Sequence, residues 1–472
     1  MLFNSIEFGI FLPIVFALYW LSKNNHRLQL AIILIASYVF YGWWDWRFLG
    51  LIAFSSILDF WIGILLGKTE KLSKRKLLLS ISLLSNLGLL GFFKYFNFFS
   101  DAFADAFTLF GKEISSSRLD IILPVGISFY TFQTLSYTFD VYKRKLEPTH
   151  DWLAFFGFVS FFPQLVAGPI ERASHLLGQF QKPRTFDYLF AVSGVRLIVW
   201  GFFKKVVIAD NAAVLVDEIF LDYSNQSSLS LIFGVVLFAF QIYGDFSGYS
   251  DIAIGLSRIF GFDLMLNFKY PYLAQNINDF WKRWHISLSS WFRDYVYIPL
   301  GGSRVSNWVS LRNIIIVFLV SGFWHGANWT FIIWGLIHGL LYIPIFFGGK
   351  AKQNLSTQNF WLRLPKMFLT FTIVCLAWVF FRADNLTQAW GYLTQIAISE
   401  GGSNYILGAN KRMIIFAVVM ACSLGMLKIE WLFESKGRDE VLLPSWSLAL
   451  LVLVIFYFGG FKNHESFIYF QF

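Results

Sequence analysis

The segment QNINDFWKRWHISLSSWFRDYVYIPLGGSR (residues 275–304) is followed, after a short apolar run, by SGFWHGANWTFIIWGLIHG (residues 321–339). These segments carry three of the seven histidines in the chain. Two of them, His285 and His325, stand among tryptophans and glycines. Polar titratable side chains are costly at membrane depth, so their presence there indicates a functional site. We therefore expect the remaining helices to enclose this region.

The composition excludes a soluble globular protein, because 57% of the 472 residues are hydrophobic, 20% are aromatic and 14% are charged. The net charge of +9 could suggest nucleic-acid binding, but the basic residues fall in short loops between apolar runs. The positive-inside rule produces that distribution in membrane proteins. Cys375 and Cys422 lie in apolar runs and predict neither a disulfide framework nor a zinc site. The composition thus predicts an integral membrane protein that binds lipid and no nucleic acid.

Apolar runs recur from end to end without a long polar linker, which predicts one all-α polytopic domain with about 11 to 13 spans. The N-terminal run is too long for a signal-peptide core and is interpreted as a retained span. The later runs lie near residues 28–41, 48–66, 77–93, 120–140, 152–168, 188–209, 231–256, 308–323, 329–347, 366–381, 412–430 and 443–460. Pro124, Pro163, Gly168 and Pro169 interrupt two of these runs, which predicts re-entrant or cavity-lining segments.

The charges of the loops predict the orientation in the membrane. Lys23 and Arg27 lie in the first loop, and the third loop, residues 68–76, carries five basic residues. The positive-inside rule makes these loops cytoplasmic and places the N-terminus outside. Lys436 and Arg438 precede the last apolar run, so the C-terminus is also expected outside.

The segment from Asp279 to Tyr297 is too charged to span a membrane, but its spacing predicts an amphipathic helix. Apolar residues recur every three or four positions along one face: Trp281, Trp284, Leu288, Trp291 and Tyr295. Polar residues spaced by four follow another face: His285, Ser289 and Arg293. Such a helix is expected at the interface or dipping inward, with its aromatic face in lipid and its polar face toward protein. The alternative is an interfacial anchor in which His285 only satisfies a backbone carbonyl.

His325 follows an apolar run and lies beside Gly326 and near Asn328. Gly322 and Gly326 flank one helical face, where they would let a substrate or another backbone approach the imidazole closely. A structural role is the alternative for a histidine with such apolar neighbours. His338, later in the same segment, is expected to pack structurally.

Common catalytic signatures are missing from the sequence, including G-x-S-x-G, the phosphate-binding loop, the dinucleotide fingerprint and H-E-x-x-H. The histidines also lack metal-ligand spacing, so neither a metal nor a bound cofactor is expected. A membrane-embedded histidine without a neighbouring nucleophile suits a general base that activates a hydroxyl supplied by the substrate. Acyl transfer from a thioester to an alcohol needs little else.

Four motifs resemble the membrane-bound O-acyltransferase family. They are FFPQLVAGPIER (residues 161–172), QIYGDFSGYSDIAIG (241–255), NFKYPYLAQNINDFWKRWHISLSSWFRDYVYIPLGGSR (267–304) and SGFWHGANWTFIIWGLIHG (321–339). The resemblance is to the bacterial branch that includes the membrane subunit of alginate O-acetylation and, more distantly, the D-alanyl transferase of teichoic acids. Together the motifs cover much of the middle of the chain.

The resemblance implies a multi-span ring of tilted helices, with re-entrant or interfacial helices, around a central tunnel. It implies that His325, in the W-H-G motif, is catalytic and that His285, in the R-W-H motif, lines the same tunnel. In this picture His325 is the base, and His285 positions the donor or polarises the thioester carbonyl. Four further residues are candidates for lining the tunnel: Trp324, Asn328, Ser289 and Arg293.

The C-terminal segment GGFKNHESFIYFQF (residues 459–472) alternates aromatic residues around Tyr469. An interfacial aromatic belt is the simple interpretation. The segment also resembles the end of the small partner protein of teichoic acid D-alanylation, which implies that Tyr469 relays the acyl group. Phe467 and Phe470 would then anchor the tail. We therefore divide the chain into a core, residues 1–442, and a terminal helix with an extracytoplasmic tail, residues 443–472.

The function expected from these observations is transfer of an acyl group, most simply acetyl, from a cytoplasmic thioester to a hydroxyl of an extracytoplasmic polysaccharide. The donor would be acetyl coenzyme A or an acyl carrier protein. The resemblance implies an extracytoplasmic SGNH-type, esterase-like transferase as partner and the bacterial cytoplasmic membrane as location. The alternatives are a transporter or flippase, in which the histidines relay protons or bind substrate, and a scaffold of a polysaccharide-export complex.

Overall fold

The computed structural model describes residues 1–109, 111, 115–347, 360–398, 401–460 and 467–468. All regular secondary structure in these residues is helical. Gln226 and Ser403 form an isolated β-bridge outside any strand. The α-helices are α1 (Ile6–Leu21), α2 (His26–Gly42), α3 (Leu49–Lys68), α4 (Leu72–Leu90), α5 (Phe96–Leu109), α6 (Ile127–Tyr142), α7 (Trp152–Ser160), α8 (Ala173–Phe180), α9 (Tyr188–Phe202), α10 (Asp210–Leu221), α11 (Ser228–Ile259), α12 (Ile277–Trp281), α13 (Ile286–Phe292), α14 (Asn307–His325), α15 (Trp329–Leu341), α16 (Ile343–Phe347), α17 (Phe360–Arg382), α18 (Leu386–Ile398), α19 (Asn410–Ser435) and α20 (Ser445–Phe458). Short π-helical segments cover Gly91–Tyr95, Phe203–Ala209 and Arg293–Tyr297.

Six helical segments within the described residues are long and apolar enough to cross a membrane. They are Trp46–Lys68, Leu72–Thr108, Ser228–Ile259, Asn307–His325, Leu362–Arg382 and Asn410–Ser435. Four shorter helices are also apolar: Ile6–Leu21, His26–Gly42, Trp329–Leu341 and Ser445–Phe458. The prediction of an all-α integral membrane fold is confirmed, and each long segment contains a run expected from the sequence. The total of 11 to 13 spans stays a prediction.

Two of the runs with internal prolines are interrupted as expected. The first enters α6 only at Ile127, after Gly126 adopts a left-handed backbone with φ of 76°. The second leaves α7 at Ser160, before Pro163. Residues 161–171, which follow α7, are buried. This agrees with the rule that irregular backbone at membrane depth is enclosed by protein.

The chain divides into two compact units, and each has its own buried core. The first unit comprises Met1–Val195 and Ala253–Met265, and the second comprises Arg196–Ile252 and Leu266–Phe472. In the first unit a buried carboxylate, Asp59 of α3, accepts hydrogen bonds from Ser82 at 2.5 Å, Asn86 at 2.8 Å and Thr138 at 3.1 Å. These bonds satisfy a polar group that would be costly to bury alone, and they tie α3 to α4 and α6.

In the second unit, α14 and α15 pack closely through glycine. A Cβ atom added at Gly322 would lie 2.2 Å from the carbonyl oxygen of Phe331, and one at Gly335 would lie 2.3 Å from that of Phe318. Any side chain at either position would force the helices apart. The predicted close approach at Gly322 is therefore made by the backbone of α15, and this contact fixes the end of α14, where His325 lies.

The predicted continuous helix from Asp279 to Tyr297 is wrong. The structure has two short helices, α12 and α13, and a π-helical segment, with His285 between the helices in a left-handed conformation at φ of 45°. The helix breaks because its backbone pairs elsewhere. The backbone amide of Ile286 donates to the carbonyl of Asn267 at 2.8 Å. The backbone amide of Lys269 donates to the carbonyl of Arg283 at 2.9 Å.

The expected lipid-facing aromatic side of this segment is also wrong. Trp284, Leu288, Trp291 and Tyr295 are buried within the second unit. Trp284 is 1% exposed, and its ring lies 5.0 Å from that of Phe268 and 5.1 Å from that of Trp378, centroid to centroid. Spacing by three and four shows that residues share a side, but it does not distinguish lipid from a protein core. Here the aromatic side packs into the core.

Candidate active site

His325 is the last residue of α14 and is 3% exposed. Three aromatic rings pack against its imidazole, with centroid-to-centroid distances of 4.9 Å for Trp324, 5.2 Å for Trp334 and 5.2 Å for Phe381. Trp334 belongs to α15 and Phe381 to α17, so three helices of the second unit build this enclosure. An imidazole held among apolar rings is shielded from bulk water, as a general base in a closed site must be.

His285 is fully buried and reaches the same enclosure from the break between α12 and α13. The centroids of the His285 and His325 rings are 6.4 Å apart. The Trp324 ring lies beside both, with centroid distances of 4.9 Å to His325 and 6.0 Å to His285. The ring of Phe246, from α11, is perpendicular to that of His285, and the two ring centroids are 4.6 Å apart. The two histidines predicted to share a site are thus neighbours in space although 40 residues separate them in the sequence.

The Nδ1 atom of His285 lies 2.9 Å from Oδ1 of Asn267. The same oxygen accepts a hydrogen bond from the Ser287 hydroxyl at 2.8 Å, and the Asn267 amide donates to the Ser250 hydroxyl at 3.0 Å. Sequence reasoning missed these partners. Asn267 opens one of the quoted motifs, but a single asparagine outside a periodic segment gives no pattern from which its partner could be found.

Of the four other residues predicted to line the tunnel, one contacts the histidines and three form polar contacts with other residues. Trp324 packs beside both histidines, as described above. Asn328 caps α15, because its Oδ1 accepts from the amide of Thr330, and it also donates to the carbonyl of Asp384 at 2.7 Å. The Ser289 hydroxyl donates to the carbonyl of Trp284 at 3.4 Å. Arg293 is 61% exposed at its side chain and pairs with its neighbour Asp294.

His338 has the surroundings expected of a structural histidine. Its Nδ1 accepts a hydrogen bond from the indole of Trp281 at 3.3 Å. Its ring packs 4.9 Å from that of Trp334, which separates it from His325. These contacts place His338 behind the aromatic wall of the enclosure.

Acidic and basic side chains next to the enclosure are paired. Lys205 contacts Asp210 at 2.8 Å and Asp245 at 2.6 Å, and Lys204 contacts Asp251 at 2.6 Å. Among the described residues no group of three or more histidine, cysteine, aspartate or glutamate side chains could hold a metal ion.

Two described residues of the C-terminal tail dock beside this enclosure. The amide of Ile468 donates to Oδ2 of Asp245 at 2.7 Å. The Phe467 ring is 2% exposed and lies 4.9 Å from Tyr249 and 5.9 Å from Phe246. Because Phe246 also touches His285, the tail comes within one ring of the histidine pair. Tyr469 and Phe470 lie outside the described residues.

The fold and the site define an all-α integral membrane protein with two buried histidines in one aromatic enclosure. The profile of the membrane-bound O-acyltransferase family matches residues 78–381, which is more than half of the chain. The chain belongs to that family. This membership confirms the predicted O-acyltransferase, in preference to a transporter or a scaffold.

Three relatives with assigned names are similar to the chain. It is 42% identical to a probable alginate O-acetylase of Pseudomonas aeruginosa, over 83% of this chain and 74% of the relative. It is 35% identical to a peptidoglycan O-acetyltransferase of Helicobacter pylori, over 100% of this chain and 98% of the relative. A teichoic acid D-alanyltransferase of Bacillus subtilis is 30% identical, over 56% of this chain and 69% of the relative.

Proposed function

We propose that this protein transfers an acyl group, with acetyl as the expected group, from a cytoplasmic thioester to a hydroxyl destined for an extracytoplasmic polysaccharide. The observation that carries the proposal is the buried pair of His285 and His325, 6.4 Å apart in one aromatic enclosure. The names of the alginate and peptidoglycan relatives support O-acetylation of a cell-surface polymer.

In the proposed reaction His325 is the general base. Its imidazole takes the proton of the acceptor hydroxyl while the oxygen attacks the thioester carbonyl. The tetrahedral intermediate then expels the thiolate, which recovers the proton from the imidazolium, and the products are an ester and a thiol. Imidazole suits both proton transfers because its unperturbed pKa lies near physiological pH.

The surroundings of the reaction follow from the same proposal. The donor is acetyl coenzyme A or an acyl carrier protein, and no cofactor is needed. The chain lies in the bacterial cytoplasmic membrane with both termini outside, where an SGNH-type transferase would complete delivery to the polysaccharide. Residues 1–442 form the core, and residues 443–472 form the terminal helix and tail.

We include in this proposal an acyl relay at Tyr469. Docking of the neighbouring Phe467 and Ile468 against α11 supports a tail that folds back toward His285. The chain is also held just before the tail, since the amide of Gly460 donates to the carbonyl of Val206 and the carbonyl of Phe458 accepts from the Asn211 side chain, both at 2.8 Å. A phenolic ester formed outside could pass its acyl group onward without a second activated donor.

The central experiment measures transfer of a radiolabelled acyl group from a thioester by purified protein in lipid. We expect His325→Ala to be inserted and folded but to lose roughly a hundredfold to ten-thousandfold in rate, the usual cost of removing a general base. His285→Ala should also lower turnover. The matched control is His338→Asn, which keeps an acceptor for the Trp281 indole and should retain activity. Normal transfer by well-folded His325→Ala protein would refute the assignment.

A further inference from the structure

We propose that Asn267 is a positioning residue that holds the His285 imidazole with its proton on Nδ1, so that His285 acts through Nε2 as an acceptor. This inference rests on the proposed function and deepens it. The sequence left two roles open for His285. It could position the acyl donor by accepting a hydrogen bond, or it could polarise the thioester carbonyl by donating one. The inference assigns the first role.

The first support is the set of partners around the Asn267 side chain. Its oxygen faces two groups, Nδ1 of His285 at 2.9 Å and the hydroxyl of Ser287 at 2.8 Å. Its nitrogen faces the hydroxyl of Ser250 at 3.0 Å. With this orientation the carboxamide accepts two hydrogen bonds and donates one, and Nδ1 is the donor to it.

The second support is burial. Asn267, His285 and Ser287 are fully buried, so no water from bulk solvent competes for these bonds. His285 lies outside the six candidate spans, and burial lowers its pKa to about 3. The imidazole is therefore neutral at physiological pH. A neutral imidazole has one donor nitrogen and one acceptor nitrogen, so donation from Nδ1 leaves the lone pair on Nε2.

The third support is the backbone. His285 has a φ of 45°, which is unusual for a residue other than glycine. Such a conformation persists where the surroundings hold it in place. Asn267 holds it twice, because its carbonyl accepts the amide of Ile286 at 2.8 Å while its side chain bonds the imidazole. One residue thus fixes both the position and the tautomer of His285.

The consequence for the reaction is specific. A neutral His285 cannot polarise the thioester carbonyl from Nε2, because that nitrogen carries no proton. It can accept a hydrogen bond from an amide of the donor arm or from the acceptor hydroxyl. His285 therefore orients a substrate N–H or O–H group, while His325 removes the proton.

Two substitutions of Asn267 test whether its accepting oxygen orients His285. Asn267→Asp keeps the shape and the accepting oxygen, so it should retain most of the turnover. Its carboxylate should raise the pKa of His285, which moves the acid-side loss of activity to higher pH because protonation removes the accepting lone pair. Asn267→Leu keeps the branched shape of the side chain but removes all three of its hydrogen bonds. It should lower kcat about tenfold or more, as loss of an orienting partner of a functional histidine does, with KM for the thioester little changed.

The controls address folding. Ser250→Ala releases only the amide nitrogen and should lower kcat less than Asn267→Leu does. Asn313→Asp changes another fully buried asparagine of the second unit, whose amide donates to the carbonyl of Leu300 at 3.0 Å. It should leave the pH profile unchanged. Elution of every variant as a folded species in detergent is checked before kinetics.

A measurement independent of activity completes the test. Protein with ¹⁵N-labelled histidine rings is compared with His285→Gln, which identifies the His285 signals, and with Asn267→Leu. We expect wild-type His285 to be neutral with its proton on Nδ1. A proton on Nε2, an Asn267→Asp variant as inactive as Asn267→Leu, or an unshifted pH profile for Asn267→Asp would each overturn the inference. Loss of the proposed function itself would appear separately, as absence of acyl transfer in the wild-type protein.

Discussion

His285 and His325 lie in one aromatic enclosure, but different interactions hold their backbones in place. His325 ends a regular helix, so its position depends on the packing of α14 against α15. His285 lies in a left-handed turn that a neighbouring segment stabilises through Asn267. The position of His325 therefore depends on helix packing, and that of His285 depends on hydrogen bonds to residues 267–269. Substitutions near His325 should loosen helix packing, whereas substitutions near His285 should release its turn.

At the C-terminus we expect Tyr469→Phe to abolish polymer acetylation while the protein stays folded, because the change removes only the nucleophilic oxygen. A phenol has an unperturbed pKa near 10 and needs an adjacent base, for which His325 is the candidate. Mass spectrometry should find an acyl adduct on the C-terminal peptide of the wild-type protein and none in His325→Ala.

Tyr457→Phe is the matched control for this substitution. Tyr457 lies on α20, shortly before the tail, and is 74% exposed. Removal of the Tyr457 hydroxyl should not affect polymer acetylation. Normal polymer acetylation by Tyr469→Phe would leave the tail with the simpler role of an interfacial aromatic belt.

At the level of elements, the packing of α14 against α15 gives a sharp prediction. Gly335→Ala should destabilise the protein by about 1–3 kcal/mol, the usual cost of overpacking, because its Cβ would lie 2.3 Å from a backbone oxygen. Gly339→Ala, one turn later on the same helix, meets its nearest neighbours at 3.5 Å and should be tolerated. Thermal unfolding in detergent compares the two variants. Equal midpoints would contradict the close packing.

The elements also show what the sequence could predict. Long apolar runs predicted α11 and α14 well, because burial of a whole helix depends on composition over many neighbouring residues. The same spacing argument failed between Asp279 and Tyr297. The break at His285 depends on hydrogen bonds to residues 267–269, which no local pattern records. The roles of the two histidines came from motif resemblance, whereas the role proposed for Asn267 required the structure.

At the level of the whole molecule, orientation rests on where the basic segments gather. Arg75, in the first unit, donates to the carbonyls of Leu66 at 2.5 Å and Tyr142 at 2.7 Å, near the ends of α3 and α6. Arg144 also forms an ion pair with Glu70. The basic segment at residues 68–76, which includes the start of α4, therefore lies on the same side as the basic segment that follows α6. Two basic segments on one side strengthen the prediction that this side is cytoplasmic.

Cysteine labelling of intact cells tests this orientation, on a background in which Cys375 and Cys422 are replaced. A membrane-impermeant maleimide should not reach Ser73→Cys or Lys145→Cys, because the positive-inside rule places both basic segments in the cytoplasm. It should reach Asn4→Cys and a cysteine added after Phe472, since both termini are predicted outside. Labelling of all four sites after permeabilisation shows that each thiol is reactive. Reaction at residue 73 with protection of both termini would invert the topology and put Tyr469 on the wrong side for a relay. Different results at residues 73 and 145 would contradict the shared side that the Arg75 contacts require.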